Sequence, residues 1–239
     1  MRIWTVITQK GGAGKTTMAL SLAVAAVEAG DRTLIIDCDE QGSAASWWES
    51  RSGEPDRPYL VRAEAGAVRD DLERARGAGF DHVLIDTPGF AGVRSSEAAS
   101  AATLAIVPCQ PSVSDMRSTF ETARMLADNG VPFVFVLNRC PTTGREGQEA
   151  ADALRGLGLV CEVVCHERKG HKRSYAHGLG ITEYAAMDRA SIAAAEELRG
   201  IYRALRAKED RLHGQGPLAA PVATAPTEDS DQAVAGALS

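Results

Sequence analysis

The strongest constraint on this chain is a glycine-rich segment near its N-terminus, which reads Lys10-Gly11-Gly12-Ala13-Gly14-Lys15-Thr16-Thr17. An apolar run, residues 3–7, comes directly before it, and a helix-like stretch, residues 19–29, follows it. Glycines let backbone N–H groups approach phosphate oxygens, and a helix N-terminus adds positive partial charge. The sequence therefore predicts a phosphate-binding loop in which Lys15 reaches the β- and γ-phosphates and the Thr16 hydroxyl ligates Mg²⁺.

A second lysine separates this loop from the common phosphate-binding pattern. That pattern places a glycine where this chain has Gln9, and Lys10 stands at the entrance of the loop. The combination resembles the deviant Walker A box of the ParA/MinD family of ATPases. The resemblance implies ATP and Mg²⁺ as cofactors. It also implies a role for Lys10, because in that family the extra lysine reaches across an ATP-sandwich dimer to the nucleotide of the partner subunit.

The rest of the chain predicts an α/β fold. Short runs rich in valine, isoleucine and leucine alternate with helix-like segments, which indicates a doubly wound, mostly parallel sheet flanked by helices on both faces. With the phosphate-binding loop, this is typical of a SIMIBI-like P-loop NTPase. The predicted strands are residues 3–8, 33–37, 59–63, 82–86, 104–108, 133–138 and 160–164. The predicted helices are residues 15–29, 67–78, 114–129, 147–157 and about 190–212.

The chain divides into one ATPase domain, residues 1–212, and a tail, residues 213–239. From residue 214 onward the composition shifts to alanine, proline, threonine, glycine and acidic residues, with no lysine, arginine or aromatic residue. Such a segment buries too little apolar surface to offset the entropy cost of ordering it. We therefore expect an Ala/Pro-rich, acidic and disordered tail.

Two of the predicted strands end in carboxylates. The second ends in Asp37 and continues through Asp39 and Glu40, and the fourth ends in Asp86. The carboxyl edge of a parallel sheet faces the crevice in which such sheets bind ligands, although Asp37 to Gln41 alone is equally consistent with a capped strand-to-helix turn. Asp86 ends an apolar run, which is the Walker B form, and can hold Mg²⁺ through water.

The segment from Asp37 resembles the Asp-x-Asp-Pro-Gln-Gly box of the same family, with Glu40 replacing the proline. The resemblance implies that Asp39 orients the attacking water and that Asp37 belongs to the Mg²⁺ shell. The predicted catalytic residues are then Lys10, Lys15 and Asp39. The predicted metal-binding residues are Thr16, Asp37 and Asp86.

The sixth predicted strand ends at Asn138-Arg139. An amide side chain offers both a donor and an acceptor, which suits the edge of adenine, although it is also a common strand-end residue. The resemblance implies contact between this asparagine and the base, so Asn138 and Arg139 join residues 11–17 as predicted nucleotide ligands.

The run Val107-Pro108-Cys109-Gln110-Pro111-Ser112 resembles the small plasmid-partition branch of the family and favours a ParA-like over a MinD-like protein.

The charge is unevenly distributed. The whole chain carries a formal charge of −6, so no global basic excess indicates nucleic-acid binding. Residues 165–212, however, contain ten Lys/Arg against seven Asp/Glu. The pattern of the last helix places basic residues on one face and an apolar stripe on another, formed by Ile192, Ala195, Leu198, Tyr202 and Leu205. On charge alone this is a solvated face. The family binds DNA without sequence preference through this part of the fold, which implies contacts from Arg199, Arg203, Arg206, Lys172 and Arg173.

These observations predict a DNA-partition or cargo-positioning ATPase. The resemblance implies an ATP-sandwich homodimer that binds non-specific DNA and hydrolyses ATP when a ParB-like or other cargo-bound adaptor stimulates it. One alternative is a metabolic ligase or kinase of the same fold, similar to dethiobiotin synthetase, and another is a scaffold with a structural nucleotide. A short apolar N-terminal run and five scattered cysteines predict a cytoplasmic protein, and we expect no membrane partner. The resemblance implies that it is nucleoid-associated when ATP-bound.

Overall fold

A single parallel sheet organises the molecule. The computed structural model describes residues 1–51, 58–89 and 92–214. Within them, seven strands lie in the order β3-β2-β4-β1-β5-β6-β7, and every neighbouring pair is parallel. The strands are β1 (Arg2–Val6), β2 (Thr33–Asp37), β3 (Tyr59–Arg62), β4 (His82–Asp86), β5 (Leu104–Cys109), β6 (Phe133–Leu137) and β7 (Leu159–Val160). The predicted doubly wound sheet is confirmed.

Helices cover both faces of this sheet. They are α1 (Lys15–Glu28), α2 (Ser43–Glu49), α3 (Val68–Gly77), α4 (Val93–Ser100), α5 (Val113–Asp128), α6 (Glu146–Arg155), α7 (Lys169–Ala176), α8 (Ile181–Tyr184) and α9 (Ile192–Gly214). Because side chains alternate along a strand, successive residues of β1 pack on opposite faces. Trp4 packs with α1 and α9, whereas Ile3 packs with α3 and α4. None of the described helices combines the length and apolarity that a bilayer span requires.

The predicted strand over residues 160–164 is wrong beyond its first residue. The ladder between β6 and β7 stops at Val160, and the next backbone bonds run from Cys161 N to Phe135 O and from Cys165 N to Leu137 O. The two bonds are four residues apart on this segment but only two residues apart on β6. The residues between Cys161 and Cys165 therefore leave the ladder. This departure carries the chain towards the carboxyl edge of the sheet.

Short helices are the main elements that the sequence does not predict. Helices α2, α4, α7 and α8 contain four to eight residues each, too few for an apolar period to be recognised.

The placement of Ile192 in the apolar stripe of the last helix is also wrong. Ile192 begins α9 and is 48% exposed, and Ile201 takes a buried position beside Leu198, Tyr202 and Leu205. The predicted tail lies, from residue 215 onward, outside the described residues.

A buried carboxylate fixes the C-terminal half of α9 to the amino edge of the sheet. The fully buried Glu209 accepts hydrogen bonds from Trp4 Nε1 at 2.9 Å, from the Thr103 hydroxyl and from the Arg2 guanidinium. Three donors compensate for the desolvation of the charge, as a buried carboxylate requires. The end of the sheet opposite the phosphate-binding loop is thereby joined to α9.

We predict that Glu209→Gln destabilises the protein by about 2–4 kcal/mol, because it removes the buried charge that three donors face. The matched control is Asp210→Asn, since Asp210 pairs with the same arginine but is 59% exposed. We expect less than about 1 kcal/mol from that control. Urea-unfolding midpoints measure both effects, and equal shifts for the two variants contradict this account of the anchor.

Candidate nucleotide-binding site

The parallel topology gathers polar side chains at one edge. Asp37 at the end of β2 pairs in register with Asp86 at the end of β4, and Val6 of β1 pairs with Asp86 from the other side. The residues that follow β1 and β6 open into a cleft of about 430 Å³ at this edge. Its walls include Gly11, Gly12, Gly14, Lys15, Thr16, Thr17, Asp39, Asn138 and Arg139.

The phosphate-binding loop requires two of its glycines for their backbone conformation. Gly12 and Gly14 have φ of 80° and 89°, in the left-handed region that side chains disfavour. The buried Asn138 braces the loop, since its Nδ2 donates to Ala13 O at 2.8 Å. A Cβ on Gly14 would lie 2.5 Å from that same nitrogen. Asn138 therefore touches the loop itself, and one of its amide hydrogens is already used.

Lys15 begins α1 and lines the cleft with a largely buried side chain. Its Nζ donates to Lys10 O at 3.0 Å, so the ammonium folds back onto the loop. Burial lowers the pKa of Lys15, and the Asp86 and Asp39 carboxylates oppose that effect. A lysine placed in this way supplies a partly desolvated positive charge to any phosphate that enters.

Asp86 has the properties expected of a metal ligand. It is fully buried, and among the described residues neither of its carboxylate oxygens has a partner in hydrogen-bond geometry. Burial raises the pKa of Asp86 to about 7, although the nearby Thr16 hydroxyl and Lys15 ammonium lower it. A buried carboxylate without hydrogen bonds is costly unless a cation compensates it. Asp86 and Thr16 thus form an oxygen donor set that fits Mg²⁺.

The two carboxylates after β2 have different surroundings. Both oxygens of the buried Asp37 accept backbone N–H groups, from Asp39 and from Ala45 in the first turn of α2, each at 3.0 Å. Burial raises the pKa of Asp37, and these two bonds oppose it. Asp39 lines the cleft and accepts a bond from Gln41 N at 3.0 Å. Asp37 therefore organises the turn that presents Asp39. Because both of its oxygens are already bonded, its place in the Mg²⁺ shell stays a prediction.

Lys10 points away from the cleft of its own chain. Its Nζ donates to Ser114 Oγ at 2.8 Å and forms an ion pair with Asp115 in the first turn of α5. The Lys10 side chain is 37% exposed, whereas that of Asp115 is 3% exposed. The structure thus places the two predicted catalytic lysines differently: Lys15 lies in the cleft and Lys10 beside it.

Sequence reasoning missed the wall of the cleft that follows β7, three strands from the strand that precedes the phosphate-binding loop. This wall comes from the segment after β7 and from α7, and it includes Cys165, His166, Glu167, Arg168, His171, Lys172 and Tyr175. The available signal was topological, because a segment that follows a parallel strand emerges at the carboxyl edge. Lys172, predicted as a DNA contact, is one of these wall residues.

The predicted DNA-binding arginines differ in how far they are already paired. Arg199 forms ion pairs with Glu28 and Glu196, each at 3.0 Å, and Arg206 pairs with Asp31 at 3.1 Å. Arg203 is exposed and forms no ion pair with the residues that the structure describes. Lys172 and Arg173 are likewise exposed on α7.

Comparison with known proteins agrees with this geometry. Residues 4–204 match the family model of the CobQ/CobB/MinD/ParA nucleotide binding domain. The maintenance of carboxysome distribution protein A of Gloeobacter kilaueensis is 30% identical over 214 residues, which cover 88% of this chain and 94% of that protein. The chromosome-partitioning ATPase Soj of Thermus thermophilus is 35% identical over 129 residues, or 43% of this chain and 52% of Soj.

A solved structure gives the same result for the fold. The cell division ATPase MinD of Pyrococcus furiosus is similar with a TM-score of 0.70 at 20% identity, over 87% of this chain and 99% of that one. At this level of identity the likeness concerns the fold alone.

We predict that Gly14→Ala destabilises the protein by about 1–3 kcal/mol and abolishes nucleotide binding, because the new Cβ meets Asn138 in a left-handed conformation. Gly77→Ala is the matched control: Gly77 ends α3 with nothing within 4 Å of the added Cβ. Thermal unfolding and calorimetric titration with ATP measure both variants. Retained ATP binding by Gly14→Ala would show that the left-handed turn at residue 14 is not needed to hold the phosphates.

Proposed function

This chain belongs to the CobQ/CobB/MinD/ParA nucleotide-binding family, and from that premise we propose that it is a Mg²⁺-dependent ATPase whose ATP-bound copies pair to partition DNA or position a cargo. The resemblance noted in the sequence is confirmed at the level of the family. The proposal depends most on one observation. The phosphate-binding loop carries two lysines, of which one lies in the cleft and the other is held outside it by Asp115.

We assign each step at the phosphates to a residue of the cleft or its edge. Lys15 and the backbone N–H groups of residues 11–17 hold the phosphates, and entry of a ligand replaces the bond from Lys15 Nζ to Lys10 O. Asp86 and Thr16 would hold Mg²⁺, and the ion would supply positive charge to the phosphates. Asp37 keeps the turn in place, and Asp39 orients water for in-line attack.

The position of Lys10 supports the proposal that two copies of the chain pair. Its aliphatic stem stands at the entrance of the loop, and its ammonium is bound to side chains of α5 instead of the cleft. We propose that, when a second copy binds, Lys10 leaves Asp115 and contacts the γ-phosphate held by the other subunit. Like an arginine finger, it then neutralises charge that develops during transfer.

The paired form is proposed to bind DNA without sequence preference. Two copies place their exposed cations side by side, which increases the number of phosphate contacts and the salt dependence. Arg203 and Arg173 need no rearrangement to make such contacts, whereas Arg199 and Arg206 must first leave their acidic partners. A ParB-like or other cargo-bound adaptor is the proposed trigger of hydrolysis and release, and association with the nucleoid follows from DNA binding.

We predict that Lys10→Ala still binds ATP but forms no ATP-dependent dimer, and that its hydrolysis rate falls at least about tenfold. Light scattering after size exclusion measures the dimer, and phosphate release measures the rate. Lys169→Ala is the matched control, since Lys169 is exposed and does not line the cleft. Asp115→Asn, which frees Lys10, is expected to retain or increase the dimer fraction.

Normal pairing and hydrolysis by Lys10→Ala would contradict the proposed composite site. A rate that depends on a small-molecule acceptor and is indifferent to Lys10 would support the ligase or kinase alternative instead. The double variant Lys10→Ala with Asp115→Asn discriminates further. If Asp115 acts only by holding Lys10, its substitution has no additional effect once Lys10 is absent.

We predict that Arg203→Ala and Arg173→Ala each weaken DNA binding about three- to tenfold in the presence of ATP, and that each lowers the slope of log affinity against log salt by about one. Fluorescence anisotropy with duplexes of unrelated sequence measures both quantities. Arg124→Ala on α5 is the control, because Arg124 is 75% exposed and lies outside the predicted surface. An equal loss in the control, or none in the two variants, removes these residues from the DNA interface.

A further inference from the structure

The wall of the cleft that follows β7 is supported by one acid of α9. The Glu197 carboxylate accepts bonds from His166 N at 3.1 Å, His166 Nδ1 at 2.8 Å, and Arg168 Nη2 and Nε at 2.7 and 3.2 Å. Its side chain is only 14% exposed. Burial raises the pKa of Glu197, but Arg168 and His166 outweigh burial, so that the net shift is downward. Glu197 is therefore a carboxylate that remains charged and holds both side chains.

The same segment is fixed from its other side by the backbone after β6. Cys140 N donates to Cys165 O at 3.1 Å, and Glu167 N donates to Cys140 O at 2.8 Å. These bonds determine the path of the main chain but leave the side chains of His166 and Arg168 free to rotate. Their orientation in the cleft therefore depends on Glu197, which itself does not line the cleft.

The position of this wall indicates which part of a nucleotide it meets. Residues 11–17 follow β1, whereas His166, Arg168 and His171, which also line the cleft, follow β7, three strands further along the sheet. A triphosphate held by the loop leaves its ribose and base to extend towards this wall. Side chains that are fixed in advance bind a ligand with less loss of conformational entropy than mobile ones.

We propose that Glu197 is a positioning residue for the nucleoside end of the ligand, acting through His166 and Arg168. The proposal rests on the nucleotide binding proposed above and assigns this acid a part in it. Since Glu197 touches no ligand itself, its effect is selective: it improves the binding of a nucleoside triphosphate but leaves the affinity for inorganic triphosphate unchanged. It also makes α9, which carries Arg199, Arg203 and Arg206, part of the support of the cleft.

Glu197→Gln and Glu196→Gln form a matched pair for the test. Both acids lie on α9, but Glu196 pairs with Arg199 and its side chain is 59% exposed. Calorimetric titration of the full chain with ATP, ADP and tripolyphosphate gives the affinities. We expect Glu197→Gln to weaken ATP and ADP about tenfold and tripolyphosphate less than twofold, and Glu196→Gln to change none of them.

The sign of this effect separates positioning from simple electrostatics. Removing a negative charge near the cleft favours any polyanion, so an electrostatic effect alone would strengthen the binding of all three ligands. Arg168→Ala supplies a second test that leaves α9 unaltered, and the same split between ATP and tripolyphosphate is expected.

Two results overturn the inference. One is unchanged ATP affinity in Glu197→Gln, and the other is an equal loss for ATP and tripolyphosphate with a lowered unfolding temperature, which indicates only a structural role. Failure of the proposed function is a different outcome, since the wild-type protein would then bind no ATP.

Discussion

The whole site depends on the parallel direction of the strands. Because the sheet is covered on both faces, polar side chains have few places within it, and they collect where the strands end. Asp37 and Asp86 pair in register at that edge, and Asn138 follows β6 at the same level to brace the phosphate-binding loop. If a single strand ran in the opposite direction, the polar residue at its carboxyl end would lie at the other edge of the sheet. The direction and register of the strands thus determine which polar residues lie together at this edge.

Burial at this edge leaves one carboxylate of the free protein without compensation. Asp86 is buried without hydrogen-bond partners among the described residues, whereas Lys15 donates to a carbonyl of its own loop. Buried polar groups without partners are typical of functional sites. In the proposed function a cation compensates Asp86, and the phosphates take the place of the carbonyl that Lys15 now contacts.

The sequence predicted the parts of the site that are local in the chain. The loop of residues 10–17 and the carboxylates after β2 and β4 are short motifs, each defined by neighbours in sequence, and the structure brings all of them to one cleft edge. Contacts between distant residues could not be predicted. The bond from Asn138 to Ala13 joins residues 125 positions apart, and the pairing of Lys10 with Asp115 depends on where α5 begins. The cleft wall that follows β7 was missed for the same reason. The chain leaves the ladder between Cys161 and Cys165, and no hydrophobic pattern in the sequence predicts that departure.

Helix α9 is held at two levels by two largely buried acids. Glu197 supports the cleft wall, and Glu209 is bound at the other edge of the sheet, twelve residues or about 18 Å further along the helix. Arg199, Arg203 and Arg206 lie between these two acids on the same helix. The cleft wall and the row of arginines are therefore attached to one continuous element, and the rise of that helix sets the spacing between them.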